Sequence, residues 1–410
     1  MKKKFGLLGE KLGHSFSPRI HRELGDYEYP LYEIPPCGLD EFMTQRRFDG
    51  INVTIPYKQA VIPYCSALSQ EAHLIGSVNT IIKEEDGSLH GHNTDYFGFC
   101  VMLEKAKIDP KGKKVLVLGD GGSAATVRAA LAFLGAQEII TVSRKGENNY
   151  ENISRHQDGQ IIVNTTPVGM YPDNGKNPLN LEGFINLAGV ADLIYNPMKT
   201  KLLLDAQRLN IPCVNGLTML VSQAEKASGL FNKKRARPRL VEKIIKNLVK
   251  EKQNIAFIGM PGCGKSSVGK VLAEKMNRMF VDTDEQIVMT QGKTIKEIFA
   301  DHGENEFRTL ESRVLSEESK KSGIVISLGG GIVMRQENLD LLRQNSLIVY
   351  LRRSLKDLAT DGRPLSQKMG VEALAKQRLP LYEAWSDMSF PVQESPVKTA
   401  LGFLDLYRKL

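Results

Sequence analysis

The stretch "IAFIGMPGCGKSS", Ile255 to Ser267, constrains this chain more than any other. An apolar run enters a glycine-rich turn that ends in Lys-Ser, and the helical pattern "SVGKVLAEKM" follows. The spacing G-x-x-x-x-G-K-S between a strand and a helix predicts a loop whose backbone N–H groups wrap phosphate. Gly262, Cys263, Gly264, Lys265, Ser266 and Ser267 are its expected nucleotide contacts. The Lys265 ammonium is expected to bridge the phosphates and the Ser266 hydroxyl to ligate Mg²⁺. Cys263 reads as a small residue tolerated at a variable loop position. Such a loop opens an α/β domain, yet here it begins only at residue 255 of 410.

The length fits two or three domains, and 41% hydrophobic with 25% charged residues is an ordinary globular balance. The start "MKKKFGLLGEKLGHS" is basic, but its apolar run stops at Leu8 and Gly9, short of a signal-peptide core. No other stretch approaches a bilayer span, so the expected location is cytoplasmic, with no membrane partner. Five scattered cysteines without C-x-x-C spacing argue against a disulfide framework or a zinc site. The net charge of +8 invites nucleic acid as a partner until it is located. Most of it sits in "NKKRARPRLVEKIIKNLVKEK", where nine basic residues face only Glu242 and Glu251. That pattern reads as a solvated connector with a short amphipathic helix from Arg239, its apolar positions Leu240, Ile244, Ile245 and Leu248. No nucleic-acid partner is therefore expected.

The connector separates two halves that both alternate β-branched runs with helical patterns, the grammar of parallel α/β domains. In the first half "KVLVLG" leads into "GDGGSAATVRAALAFLG", a G-x-G-x-x-A turn opening an alanine-rich helix. Gly119, Gly121, Gly122, Ser123 and Ala124 are the expected pyrophosphate contacts. The next strand, "EIITVSRK", ends in Ser143, Arg144 and Lys145, where an acidic residue would hold the 2′-hydroxyl of NAD. Cations there suit a 2′-phosphate, so the expected cofactor is NADP. His90 and His92, two apart and without a further cluster, read as polar residues at a strand end rather than as metal ligands.

Upstream, "GHSFSPRIH", "GINVTIPYK", "GSVNT" and "GHNTD" interrupt apolar runs with hydroxyls, amides, a lysine and an aspartate. With "NTTPVGM", "DLIYNP" and "NGLTMLVSQA" they follow in the order of the substrate motifs of shikimate dehydrogenase, which nearly the whole first half resembles. The resemblance implies that Ser15, Ser17, Asn52, Thr54, Asn79, Thr94 and Gln223 bind the hydroxyls and carboxylate of shikimate, and that Lys58 and Asp95 form the catalytic pair. Asp120 departs from the usual alanine and places a carboxylate beside the pyrophosphate, so weaker NADP binding is expected.

In the second half "FVDTDEQI", "GENEFRTLE", "SLGGGIV", "DGRPL" and "QRLPLYEAW" follow the phosphate loop. Two distant arginines suit a small anion and an aspartate suits a hydroxyl that is to be phosphorylated. The set resembles shikimate kinase from end to end. By that resemblance Asp282 helps hold Mg²⁺, Asp284 orients the reacting hydroxyl, Arg308 and Arg378 bind the carboxylate, Gly330 and Gly331 approach the ring, and Phe299 and Phe307 line it. Arg363 would sit on a lid over ATP. Only Lys356 precedes it and Asp361 lies beside it, so a weak grip on the adenine side is expected.

Together these implications describe a bifunctional chain that uses NADPH to reduce 3-dehydroshikimate and MgATP to phosphorylate the shikimate formed. Its expected layout is a substrate domain (1–100 and 218–231), a Rossmann NADP domain (101–217), a basic linker (232–252) and a P-loop kinase domain (253–410). Two alternatives stay open: a quinate/shikimate dehydrogenase fused to another small-molecule kinase, and one half turned regulatory module. Monomer and homodimer are both open.

Overall fold

The structure is a computed structural model that describes residues 2–13, 15–359 and 370–409; the expected lid residue Arg363 lies outside the described residues. The chain divides into two compact units. One runs to Tyr195 and resumes over Thr200–Leu248; the other comprises Asn196–Lys199 and everything from Val249 on.

The first unit is built on two sheets. Strands β1 (Leu7–Gly9), β2 (Leu31–Glu33), β3 (Gly50–Val53), β4 (Ala67–Leu68), β5 (Thr80–Lys83) and β6 (Leu89–His92) form a mixed sheet in the order β2-β1-β3-β5-β6-β4. Leu8, Ile51, Val53, Ile81 and Leu89 are its buried side chains, while Asn52 and Thr80 of the same strands are polar and equally buried. The second sheet is parallel throughout: β7 (Lys114–Leu118), β8 (Glu138–Val142), β9 (Ile161–Asn164), β10 (Gly189–Asp192) and β11 (Cys213–Val214), in the order β11-β10-β9-β7-β8. Its central strands are continuous runs of Val, Ile and Leu because helices cover both faces. Strand order reverses between β7 and β9, and ligands of such sheets sit at the carboxyl ends of the strands there. Gly119 ends β7 with φ +104°, and a side chain on it would press on Thr165 Oγ1 at 2.8 Å, so only glycine makes this turn.

Helices Thr94–Lys105 and Leu217–Asn232 pack against each other closely. Gly98 permits it, since an added Cβ would stand 2.6 Å from the Met219 carbonyl oxygen. That approach brings the first turn of one helix, with Asp95, to Gln223 on the other. The basic connector contains a helix, Pro238–Lys252, which begins with proline at a position where a missing N–H costs nothing. Its buried face is Val241, Ile244 and Leu248 rather than the expected Leu240 and Ile245. The face is set by what the helix meets: Asn247 donates to Glu23 at 3.0 Å and Lys105 donates to Glu242 at 3.0 Å.

The second unit is a five-stranded parallel sheet of β12 (Asn254–Ile258), β13 (Phe280–Asp282), β14 (Val325–Ser327), β15 (Ser346–Arg352) and β16 (Met388–Pro391), in the order β13-β14-β12-β15-β16. Strand β12 is fully buried and delivers the phosphate loop directly onto the helix Lys265–Met276. Both units are thus α/β; two of the three sheets are parallel, as the alternation of strand and helix patterns implies, while the first sheet departs from it with antiparallel pairs β3–β5 and β5–β6. Among the described residues no helix is long and apolar enough to cross a membrane.

Candidate active sites

In the first unit a cavity of about 470 Å³ is lined by Ser15, Ser17, Asn52, Thr54, Lys58, Asn79, Asp95 and Gln223, with Ser123 of the glycine turn and Tyr195 at its edge. The ammonium of Lys58 donates to Asp95 Oδ2 at 2.6 Å, with both side chains only partly exposed. Asp95 sits in the first turn of its helix, where the free N–H groups favour a negative charge, and Asn93 caps that end by accepting from the Tyr96 N–H at 3.2 Å.

Thr94 was expected to contact substrate directly, but it does not line the cavity. It is 2% exposed, and its hydroxyl lies 3.2 Å from Asn79 Oδ1 and 3.3 Å from Gln223 Oε1. It sets the two amides that do face the cavity. The Gln223 amide nitrogen in turn donates to the Leu220 carbonyl at 3.0 Å. Two further residues of these motifs, whose local pattern announces no role, join the site. Thr80, the last residue of "GSVNT", accepts from Asn52 Nδ2 at 2.9 Å, and Tyr195 of "DLIYNP" lines the cavity.

The glycine turn leaves open space above Gly121 and Gly122, where an added Cβ would meet nothing within 4 Å among the described residues, at the start of the helix Gly122–Phe133. Free N–H groups in open space suit a pyrophosphate. Ala124, by contrast, is fully buried in the helix–sheet packing and offers no contact surface. Strand β8 ends at Val142; Ser143 is buried with its N–H donating to the Asn148 carbonyl at 3.0 Å, which leaves Arg144 and Lys145 exposed as the cations at the crevice rim. Burial raises the Tyr150 hydroxyl from its usual value, with Arg144 pulling it down and Asp120 pushing it up, so the two opposite charges share one neighbourhood.

In the second unit one cavity of about 440 Å³ collects Gly262, Gly264, Lys265, Ser266, Ser267, Asp282, Asp284, Phe299, Phe307, Arg308, Gly330, Gly331 and Arg378. Cys263 is the exception. Its side chain is fully buried in the core under the loop and its N–H donates to the Met260 carbonyl at 3.2 Å, so it contributes neither group to the cavity wall. The Lys265 ammonium donates to the Gly259 and Met260 carbonyls at 2.9 and 3.1 Å, carbonyls with which a phosphate competes for it. Ser266 Oγ donates to Asp282 Oδ2 at 2.5 Å, and Asp282 Oδ1 caps the helix Thr283–Gln291.

Asp284 is half-buried, and its Oδ1 is shielded from solvent with no hydrogen-bond partner among the described residues. Burial first, then the charges of Glu311 and Asp282, push its carboxyl up to about 7. Arg308 is held by ion pairs to Glu311 and, at 2.9 Å, to Glu304, while its Nε lacks a partner among the described residues. Gly331 lies so close that any side chain there would overlap the Arg308 guanidinium. Arg378 is 2% exposed, its Nε is likewise without a partner among the described residues, and burial and the Arg308 charge hold it below the usual guanidinium value. Two buried arginines with unpartnered N–H groups in one cavity wall call for an anion. Phe299 and Phe307 pack at 4.7 Å between centroids and supply an apolar wall. Glu311, present in the quoted "FRTLE" but unassigned, lines the same cavity; so does Arg353.

The fold and the two cavities define an oxidoreductase of the dinucleotide-binding class joined to a small-molecule phosphotransferase of the P-loop class. Residues 7–81 match the family "Shikimate dehydrogenase substrate binding domain" and residues 261–405 match the family "Shikimate kinase". A "Shikimate dehydrogenase (NADP(+))" of Clostridium beijerinckii is 39% identical over 247 residues, covering 55% of this chain and 91% of that protein. A solved chorismate mutase/shikimate 5-dehydrogenase fusion protein from Clostridium acetobutylicum is 36% identical with TM-score 0.58, covering 60% of this chain and 97% of that one. Shikimate 5-dehydrogenase from Thermus thermophilus, solved in complex with NADP(H) and shikimate, is 30% identical with TM-score 0.54, covering 59% and 98%. The chain belongs to the shikimate dehydrogenase family and carries a shikimate kinase domain at its C-terminal end.

Proposed function

We propose that this chain reduces 3-dehydroshikimate to shikimate with NADPH in its first unit and phosphorylates shikimate at a ring hydroxyl with ATP in its second. The observation that carries the reading is that both cavities offer polar groups for the same small hydroxylated carboxylic acid: hydroxyls and amides around Lys58–Asp95 in one, two buried arginines around Asp284 in the other.

In the first unit NADPH supplies the hydride, and the ketone oxygen gains negative charge as it arrives. Lys58 gives that oxygen a proton, while Asp95, 2.6 Å from the ammonium, holds it aimed. Ser15, Ser17, Asn52, Thr54, Asn79 and Gln223 orient the ring. The Gly119–Ser123 turn takes the pyrophosphate, and Arg144 with Lys145 takes the 2′-phosphate. Arg144→Ala is expected to raise the KM for NADPH about tenfold and leave the KM for NADH within twofold. Asp120→Ala should lower the KM for NADPH a few fold, since it removes a like charge on the order of 1 kcal/mol. Steady-state titration of both cofactors checks the pair.

In the second unit Arg308 and Arg378 hold the carboxylate, Phe299 and Phe307 face the ring, and Asp284 accepts the proton of the attacking hydroxyl. Backbone N–H groups of the loop and Lys265 hold the phosphates. Ser266 Oγ and Asp282 Oδ2 are hard oxygen donors 2.5 Å apart, a set that suits Mg²⁺, whose charge would offset that of the phosphate oxygens. Arg363 is proposed as a further cation on the transferred phosphoryl group. Separate assays of the two half-reactions on one purified chain, with quinate and NADH as competing substrates, test the assignment.

A further inference from the structure

Tyr29 stands outside every sequence motif described above, yet its hydroxyl lies against the substrate cavity from behind. It donates to Asn52 Oδ1 at 2.7 Å and shares a hydrogen bond with Ser17, so it touches two of the residues that line the cavity. An asparagine amide is nearly symmetric in shape, and its neighbours decide which end is oxygen. Here the direction is forced. The Thr94 main-chain N–H, which can only donate, reaches Asn79 Oδ1 at 2.7 Å. Thr80 Oγ1 donates to the same oxygen at 3.1 Å, while Asn52 Nδ2 lies 2.9 Å from Thr80 Oγ1 and 3.4 Å from the Asn79 main-chain carbonyl, which can only accept, so that end of Asn52 is the donor. The remaining end of Asn52 is its oxygen, and Tyr29 Oη–H is the donor that meets it.

Tyr29 is itself fixed. The His21 ring stacks on it with centroids 3.8 Å apart and planes 11° apart, and His21 Nδ1 is 2.7 Å from the Tyr27 hydroxyl. His21 is neutral, because burial pushes it down to about 3, so the stack carries no charge that titrates near neutrality. Asn52 is only 5% exposed, so an Oδ1 deprived of its donor has little water to replace it.

We propose that Tyr29 is a positioning residue for the dehydrogenase reaction, closing the hydrogen-bond chain Thr94–Asn79–Thr80–Asn52 and thereby holding Asn52 and Ser17 in the orientation that grips the substrate ring. The proposal rests on the reading of this cavity as the 3-dehydroshikimate site. Tyr29→Phe keeps the stack on His21 and removes only the hydroxyl. It is expected to raise the KM for shikimate and 3-dehydroshikimate about tenfold, the loss of one buried hydrogen bond, with kcat within about threefold because Lys58 and Asp95 are untouched. Preference for shikimate over quinate should fall by a similar factor, while the KM for NADPH and both kinase parameters stay at their wild-type values.

Tyr27→Phe is the companion variant: it lies in the same aromatic cluster, its hydroxyl bonds His21 and Ser228 rather than a cavity residue, and it is expected to leave the shikimate KM unchanged. Tyr29→Phe with a wild-type KM and wild-type preference overturns the proposal. So does a loss in kcat, KM and thermal stability together that Tyr27→Phe reproduces, since that is loss of packing. An unmodified chain that does not turn over 3-dehydroshikimate refutes instead the functional reading on which the proposal stands.

Discussion

Lys58→Ala is expected to lower NADPH-dependent reduction of 3-dehydroshikimate by roughly 10³-fold, within the span of 10² to 10⁴ usual for a positioned proton donor. The loss should fall on kcat and on kcat/KM alike, because the ammonium is needed as charge develops rather than for binding the ground state. Phosphorylation of added shikimate by the same purified chain should be unaffected. Asp95→Asn should lose a comparable factor, and the double variant little more than either single one, since a 2.6 Å pair acts as one unit. Losses that simply multiply would show that Lys58 and Asp95 act independently, contrary to the geometry.

Asp284→Asn should be the corresponding lesion in the kinase, about 10² to 10⁴-fold in kcat, with the dehydrogenase intact. Its pH dependence makes the test sharper. With the Asp284 carboxyl raised to about 7, the free enzyme is mostly protonated below neutrality and cannot accept the hydroxyl proton. Kinase kcat/KM should therefore climb with pH through a midpoint near 7 and level off above it. Stability runs the other way. A carboxyl whose folded pKa lies above its unfolded value binds its proton more tightly in the fold. The stability that proton confers is fully present below the unfolded value of about 3.9 and is lost as pH rises through about 7. Asp284→Asn removes that loss. The variant should be more stable than wild type at about pH 8, by on the order of 1 kcal/mol or more, with the gap closing as pH falls toward 4. Thermal unfolding of the unliganded protein at several pH values, beside kinase rates at the same values, reads both slopes.

The lining of the two cavities is largely legible in the sequence because it consists of residues whose types are unusual where they stand. A lysine four residues after N-V-T, an aspartate after G-x-N-T, and Lys-Ser after a glycine turn all break apolar runs at the ends of strands, and the fold brings them into the cavities. What the sequence did not disclose depends on contacts across the chain. Thr94 resembled a ligand-binding hydroxyl, but the fold turns it onto Asn79 and Gln223. Cys263 stands amid phosphate-binding backbone, yet its side chain points into the core beneath the loop. Ala124 opens a binding helix with a face that packs inward. The burial of the Asp284 carboxyl, and after it the nearby charge of Glu311 held against Arg308, which together push Asp284 up, follow from how the helical stretch beyond the Gly303 kink of Ile295–Glu318 meets the Gly329–Gly331 turn, which no local pattern encodes. The buried face of the connector helix differs from the expected one for the same reason: leucine and isoleucine at helical spacing allow several faces, and the neighbour at Glu23 selects one.

The most direct measurement supplies one purified chain with 3-dehydroshikimate, NADPH and MgATP and follows NADPH oxidation, ADP release and the organic acid by mass spectrometry. The expected result is equal consumption of NADPH and ATP with shikimate 3-phosphate accumulating; Lys58→Ala should stop both signals, and added shikimate should restore ADP release alone. If 3-dehydroshikimate is left unreduced, or if shikimate accumulates without being phosphorylated, the two cavities do not serve one acid in succession and the account is contradicted.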